Sequence, residues 1–208
     1  MPNYTLNISF DSKGLQAITQ AGQVVTIVKL TSSTSKPVAW ISFQPQQENQ
    51  IIWTEQYAVY ASTTNLQSGA KIITSATANA VGGSSYNINS AGYFDARVQG
   101  ATDVNSYEII NGDQNLMVNG NEMVAAGLLQ AATVNGFQLS APMCASYILY
   151  NQSGIFTPIE TIQVFTSSYS NNGMVISSVS GNALTVTYTT NTSANITYND
   201  QSNTFINA

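Results

Sequence analysis

An all-β protein is the expectation from this sequence, and three observations carry it. The apolar residues are mostly β-branched or aromatic and come in short runs. Pairs suited to tight turns break those runs, at Gly82-Gly83, Asn111-Gly112, Asn119-Gly120, Asn135-Gly136 and Asn172-Gly173. A strand-like segment also recurs at an offset of 105 residues.

In the first half the strand pattern runs through Tyr4–Phe10, Gln23–Thr31, Val38–Gln44, Gln50–Ser62, Ala70–Thr77, Ser85–Asn89 and Tyr93–Val98. In the second half it runs through Tyr107–Ile110, Leu116–Val118, Phe137–Ser140, Ser146–Asn151, Thr157–Ser167, Met174–Ser180, Ala183–Thr190 and Asn195–Tyr198. Two segments read as short helices. Ser12–Ala21 follows Asp11, a suitable N-cap, and ends at Gly22. Asn121–Ala131, rich in Ala, Leu and Met, is the second.

The repeat sets Ile52–Ser62 over Thr157–Ser167, matching Glu55 with Glu160, Val59 with Val164, Tyr60 with Phe165 and Ser62 with Ser167. Weaker echoes flank it, Gly69–Ile73 with Gly173–Ser177 and Ala39–Phe43 with Ser146–Tyr150. The expectation is an internally duplicated β protein, with one unit over residues 1–100, a second over 101–208 and one short helix in each. The units form either two similar antiparallel sandwiches or one pseudo-two-fold sandwich.

Parity along the repeated strand isolates its acids. Ile51, Trp53, Glu55, Tyr57, Val59 and Ala61 share one face of a regular strand, apolar except for Glu55. The corresponding face of the second copy, Phe156, Pro158, Glu160, Ile162 and Val164, is apolar except for Glu160. A carboxylate on such a face must be hydrogen-bonded, paired or protonated, so both are expected to be buried structural acids, with Lys29 a candidate partner for Glu55. A bulge that turns the acid to solvent is the competing outcome.

Of 208 residues only 5 are basic and 10 acidic, giving a formal net charge of −5, while Asn, Ser, Thr and Gln supply 84. So few bases make a grip on nucleic-acid phosphates implausible. The chain has no His and one Cys, Cys144, so His chemistry, zinc cages and an internal disulfide are excluded. Asp113 among Asn111, Asn115 and Asn119 is an oxygen-rich stretch, but its spacing departs from a calcium-binding loop. No catalytic residue, metal ligand or cofactor is therefore assigned, and an enzyme is not expected. No run is long enough for a membrane helix, and the first residues lack the basic start and apolar core of a signal peptide. Cytoplasmic synthesis with non-classical release, or a mature secreted form, fits both facts.

Eleven Tyr, seven Phe and two Trp among many amides form the kit of carbohydrate recognition, where rings stack on sugar faces and amides bond hydroxyls. Tyr86, Tyr93, Phe94, Tyr169, Tyr188 and Tyr198, each flanked by polar residues, are the candidate ligand-binding set. The acidic balance, the near-absence of Cys and His and the Tyr/Asn/Ser/Thr-rich strands give the chain a compositional resemblance to small unsecreted β proteins of fungi, ferns and bacteria. These are the fruit-body lectins, aegerolysins, actinoporin-like cytolysins and insecticidal-type proteins. No family motif matches residue by residue, so no binding residue is carried over. The resemblance implies a defence or toxin role through a glycan or lipid headgroup on a target cell. The alternative is a self-assembling filament, coat or capsid subunit, whose partners are further copies of the chain and whose C-terminal run Asn195–Asn207 donates a strand.

Overall fold

The computed structural model describes residues 2–32, 35–168 and 171–208. Its first half runs β1 (Asn3–Ser9), α1 (Ser12–Gln20), β2 (Val24–Thr31), β3 (Lys36–Ala39), β4 (Ile41–Phe43), β5 (Glu48–Ser62), β6 (Ala76–Asn79), β7 (Ser84–Ile88) and β8 (Val98–Gln99). The second half runs β9 (Tyr107–Asn111), β10 (Met117–Val118), β11 (Asn121–Val134), β12 (Phe137–Pro142), β13 (Cys144–Leu149), β14 (Ser153–Phe156), β15 (Pro158–Ser167), β16 (Met174–Val175), β17 (Leu184–Thr187), β18 (Ser193–Asn199) and β19 (Thr204–Asn207). The protein is mostly β, as the strand pattern predicts.

Helix α1 forms where expected. The Asp11 carboxylate accepts the Gly14 amide at 2.6 Å, and Gly22 leaves the helix at φ 64°. A second helix does not form. Asn121–Ala131 lies within strand β11, which corrects the expectation of one helix per half. Residues Val124–Leu128 are buried without a break, because β11 runs through the middle of the largest sheet with β5 on one side and β12 and β13 on the other. A strand buried on both faces reads as a continuous apolar run, and pairing on both edges overrides the helix propensity of Ala, Leu and Met. At Gly127 the neighbouring backbone comes so close that a Cβ would lie 2.1 Å from the Cys144 carbonyl oxygen.

The largest sheet has the order β16-β3-β13-β11-β5-β1-β18-β19, with β6, β10 and β12 paired to it at the sides. Two four-stranded sheets, β14-β9-β7-β8 and β17-β15-β2-β4, accompany it. Leu6 and Ile8, Ile27, Trp53, Tyr86, Ile109 and Ile162, drawn from all three sheets, belong to one buried core cluster. The C-terminal strands stay within the chain's own sheet, β18 pairing in parallel with β1 and β19 folding back on β18.

The pairings β5–β11 and β15–β2 follow one rule. Ser62↔Ala125, Tyr57↔Gln130 and Trp53↔Ala132 in the first become Ser167↔Val24, Ile162↔Lys29 and Pro158↔Thr31 in the second. The offset is 105 residues from β5 to β15 and 101 from β2 to β11. Strands from the two halves of the chain are therefore neighbours in both sheets.

The close approach at Gly127 is testable. Gly127→Ala should destabilise the protein by about 1–3 kcal/mol, because β11 and β13 must part to admit the methyl group. Gly181→Ala, with nothing within 4 Å of the added carbon, should leave the urea midpoint unchanged.

Candidate functional site

Both repeated acids sit in bulges. Between Trp53↔Ala132 and Tyr57↔Gln130, Thr54, Glu55 and Gln56 stand opposite the single residue Ala131. Between Pro158↔Thr31 and Ile162↔Lys29, Ile159, Glu160 and Thr161 stand opposite Leu30. Two extra residues in each strand break the pleat, so parity no longer decides where the middle side chain points.

The two acids then part company. Glu160 is half-buried and turns over Lys29, whose ammonium lies 2.8 and 2.9 Å from its two carboxylate oxygens. The same carboxylate accepts the Tyr57 hydroxyl at 2.9 Å and the Trp53 indole N–H at 3.1 Å. Four hydrogen bonds from these three groups use the full accepting capacity of a carboxylate. The Lys29 side chain has no solvent exposure, and its ammonium lies 5.4–5.7 Å from the ring centroids of Trp40, Trp53 and Tyr57. Burial pulls the Lys29 pKa down, against the pull of Glu160 and, more weakly, Glu55. Burial pushes the Tyr57 and Tyr188 phenols well above their ordinary value, with Glu160 adding to both, and it raises Tyr107 to about 12.

Glu55 is exposed and accepts a short hydrogen bond from the Tyr4 hydroxyl. This corrects the expectation of a buried acid paired with Lys29: the bulge outcome holds for Glu55, and Lys29 pairs with Glu160. Gln130 fixes the bulge from behind, its side-chain NH2 donating to the Thr54 carbonyl at 2.7 Å while its main-chain carbonyl accepts the Trp40 indole N–H. Between the bulges opens a cleft of about 210 Å³ lined by Glu55, Tyr57, Asn105, Tyr107, Pro158 and Glu160.

A second feature lies on the outer face of the largest sheet. Tyr4, Leu6 and Ile8 of β1 are buried, so Asn3, Thr5, Asn7 and Ser9 face outward. Register extends these positions into rows across the strands. One row is Gln138, Thr133, Ile52, Thr5 and Ser193. The next is Gln50, Asn7 and Asn195, in which the Gln50 amide donates to Asn7 at 3.2 Å and the Asn7 amide to Asn195 at 2.8 Å. A third carries Glu48, Ser9, Thr197 and Ile206, and Glu48 is the one ionisable side chain in the three rows. A groove of about 440 Å³ runs over this face, walled by Ile52, Thr54, Thr133, Gln138 and Ser140, with the small Ala131 at its centre.

Of the five aromatic candidates among the described residues, only Tyr86 and Phe94 meet. Tyr86 is buried edge-to-face against Phe94, its hydroxyl held by the Val81 backbone. Tyr188 is buried between Tyr4 and Trp53, and Tyr198 between Phe10 and Phe205. Tyr93 is exposed at 66%, and Tyr169 lies outside the described residues. Polar neighbours in sequence mark edges of the core as readily as open surface. Tyr4, Tyr57, Asn105 and Tyr107 did not figure in the candidate ligand-binding set, and Lys29 figured only as a partner for Glu55, although a lone Lys in the run Val24–Leu30 gives the signal that marked the two acids. Cys144 is buried, which pushes its thiol pKa up to about 12.

No protein-family model matches the chain, and no curated protein and no solved structure matches it.

Two outcomes follow from the centre. Glu160→Gln leaves the buried ammonium without its counter-charge and should cost about 3–5 kcal/mol, largely recovered in Lys29→Met/Glu160→Gln, whereas Glu55→Gln should leave the denaturant midpoint nearly unchanged. Alkali should unfold the protein, because folding raises the Tyr57, Tyr60 and Tyr188 phenols above their ordinary 10.0. Their contribution is complete below pH 10.0 and falls as pH rises past it. Lys29 acts in the opposite sense, its lowered pKa favouring the fold as pH rises to 10.5, above which only the phenols act. Spectrophotometric titration should show these phenols ionising together with the loss of circular dichroism, and ionisation ahead of it would contradict their burial.

Proposed function

We propose that the protein is a non-enzymatic binding protein for neutral glycans on a target surface, and that it docks through the outer face of the largest sheet. One observation carries this reading. Uncharged side chains stand in register across β12, β11, β5, β1 and β18, hydroxyls and amides at every position of the first two rows but Ile52, with no charge until Glu48 at the margin. Neighbouring strands lie about 4.8 Å apart, so the rows offer donors and acceptors at a regular interval. Hydrogen bonds among Gln50, Asn7 and Asn195 hold the amides in place before any ligand arrives, which reduces the entropy lost on binding. The groove over Ala131 gives a sugar ring a shallow seat, with Ile52 as apolar floor. A defence or toxin role is the setting suggested by the compositional likeness to lectins and insecticidal proteins.

An internal duplication accords with this architecture, with units over residues 1–100 and 101–208 fused by exchanged strands. Its support is the common register rule of β5–β11 and β15–β2 and the equal bulges at Glu55 and Glu160.

The test is retention on microcrystalline cellulose, chitin and an insoluble β-glucan at low and high salt. Binding to at least one, with little dependence on salt, is expected, since no phosphate or carboxylate is being read. Thr5→Lys and Thr133→Lys should each weaken binding about tenfold or more by placing an unpaired charge in the interface, with the melting temperature preserved. No retention on any of the three, or lysine variants that bind as the parent does, would overturn the reading.

A further inference from the structure

The cleft between the bulges has a chemistry that the neutral sheet face lacks. We propose that it is a separate site for a small primary amine, such as an amino sugar, whose ammonium group is held by Glu55.

Three observations lead there. The first is charge. Lys29 and Glu160 neutralise each other, and no other ion pair occurs among the described residues, so Glu55 leaves the cleft with one uncompensated negative charge. The second is accepting capacity. Glu160 already accepts four hydrogen bonds, whereas Glu55 accepts one, from Tyr4 to a single oxygen, and its other oxygen is open to a ligand. The third is the wall. Tyr57 and Tyr107 meet edge-to-face at 5.6 Å beside the two acids, and Asn105 and Pro158 complete the lining. Aromatic rings next to a carboxylate favour an organic cation over a bare ion. The volume of about 210 Å³ equals that of about seven water molecules and suits a ligand no larger than one sugar ring.

The same observations select among cations. A divalent metal seeks six or more oxygens, and no group of three acidic, Cys or His side chains gathers among the described residues. A guanidinium fork pairs best with both oxygens of a carboxylate, and at Glu55 it would compete with the Tyr4 hydroxyl for one of them. A quaternary ammonium has no N–H for the open oxygen. A primary ammonium supplies the single charged donor that the site lacks. The proposal is independent of the glycan reading of the sheet face, because none of the cleft residues lies in the outward rows.

The experiment is a titration of the full chain with glucosamine, glucose, tetramethylammonium and guanidinium. It is followed by calorimetry and by the Trp53 indole N–H resonance, which reports on Glu160 at the cleft wall. Glucosamine should bind and shift that resonance, and Glu55→Gln, a change at an exposed side chain, should weaken binding about tenfold or more while the melting temperature holds. The proposal is overturned if glucosamine does not bind, if any of the other three probes binds as tightly, or if Glu55→Gln leaves the affinity unchanged. Thr5→Lys, which disables the sheet face, should leave glucosamine binding intact, and loss of binding in that variant would also overturn a separate site.

Discussion

One buried ammonium holds the centre of the molecule together. Lys29 belongs to β2, its counter-ion Glu160 to β15, and the rings around it come from β5 and from Trp40 between β3 and β4. Withdrawing a lysine from water costs several kcal/mol, and an apolar pair of similar volume would fill the space at less risk. The ion pair adds discrimination instead. Glu160 reaches Lys29 only if β15 carries its two extra residues and pairs with β2 in this register. A slip by one residue would leave a charge in the core with no partner. The related position in the other pairing holds Gln130, which ties its bulge by an amide hydrogen bond, so equivalent backbones are pinned by an ion pair on one side and a neutral bond on the other.

Elsewhere ions are sparse, the whole chain having 5 basic and 10 acidic residues among 208. Its outer faces meet water through hydroxyls and amides, which hydrogen-bond well but neither repel one another nor gather counter-ions. Asn7, Asn195 and Gln50 satisfy one another across three strands while remaining open to solvent. Such a surface gives up little hydration when it meets another neutral polar surface, and it has no long-range field to draw a charged one.

The strands were legible in the sequence because their signals are local. Alternation in Asn3–Ser9 gives both the buried face of β1 and the outward one, and the Asn-Gly pairs at 119–120 and 135–136 turn with positive φ at both residues. The helix at Ser12 was legible for the same reason, through its aspartate cap. The strand at Asn121 was not, since pairing on both edges, on one side with β5 60 or more residues away, outweighs the preference of Ala and Leu. At the site, oddity was legible and geometry was not. Parity singled out Glu55 and Glu160, but the bulges that turn one acid outward and the other onto Lys29 exist only in register with β11 and β2. Tyr86, Tyr188 and Tyr198 are buried, and a tyrosine that caps a core edge has the same polar neighbours as one that waits for a ligand.

The parallel pairing of β1 with β18 has a further consequence, for the order in which the molecule can be built. Thr5 stands beside Ser193 and Ser9 beside Thr197, so β1 waits for a strand made 188 residues later before one of its edges is closed. It finds β5 early and can form that hairpin-like pair at once, but its other edge stays bare while almost the whole chain is synthesised. An open edge flanked by apolar side chains is a template for the wrong neighbour, including the same strand of another nascent chain. The outward face of β1, with amides and hydroxyls in place of a hydrophobic stripe, limits what such a neighbour would gain. With a net charge of −5 over 208 residues, repulsion between copies is modest, so pace of synthesis and crowding on a polysome bear directly on its yield.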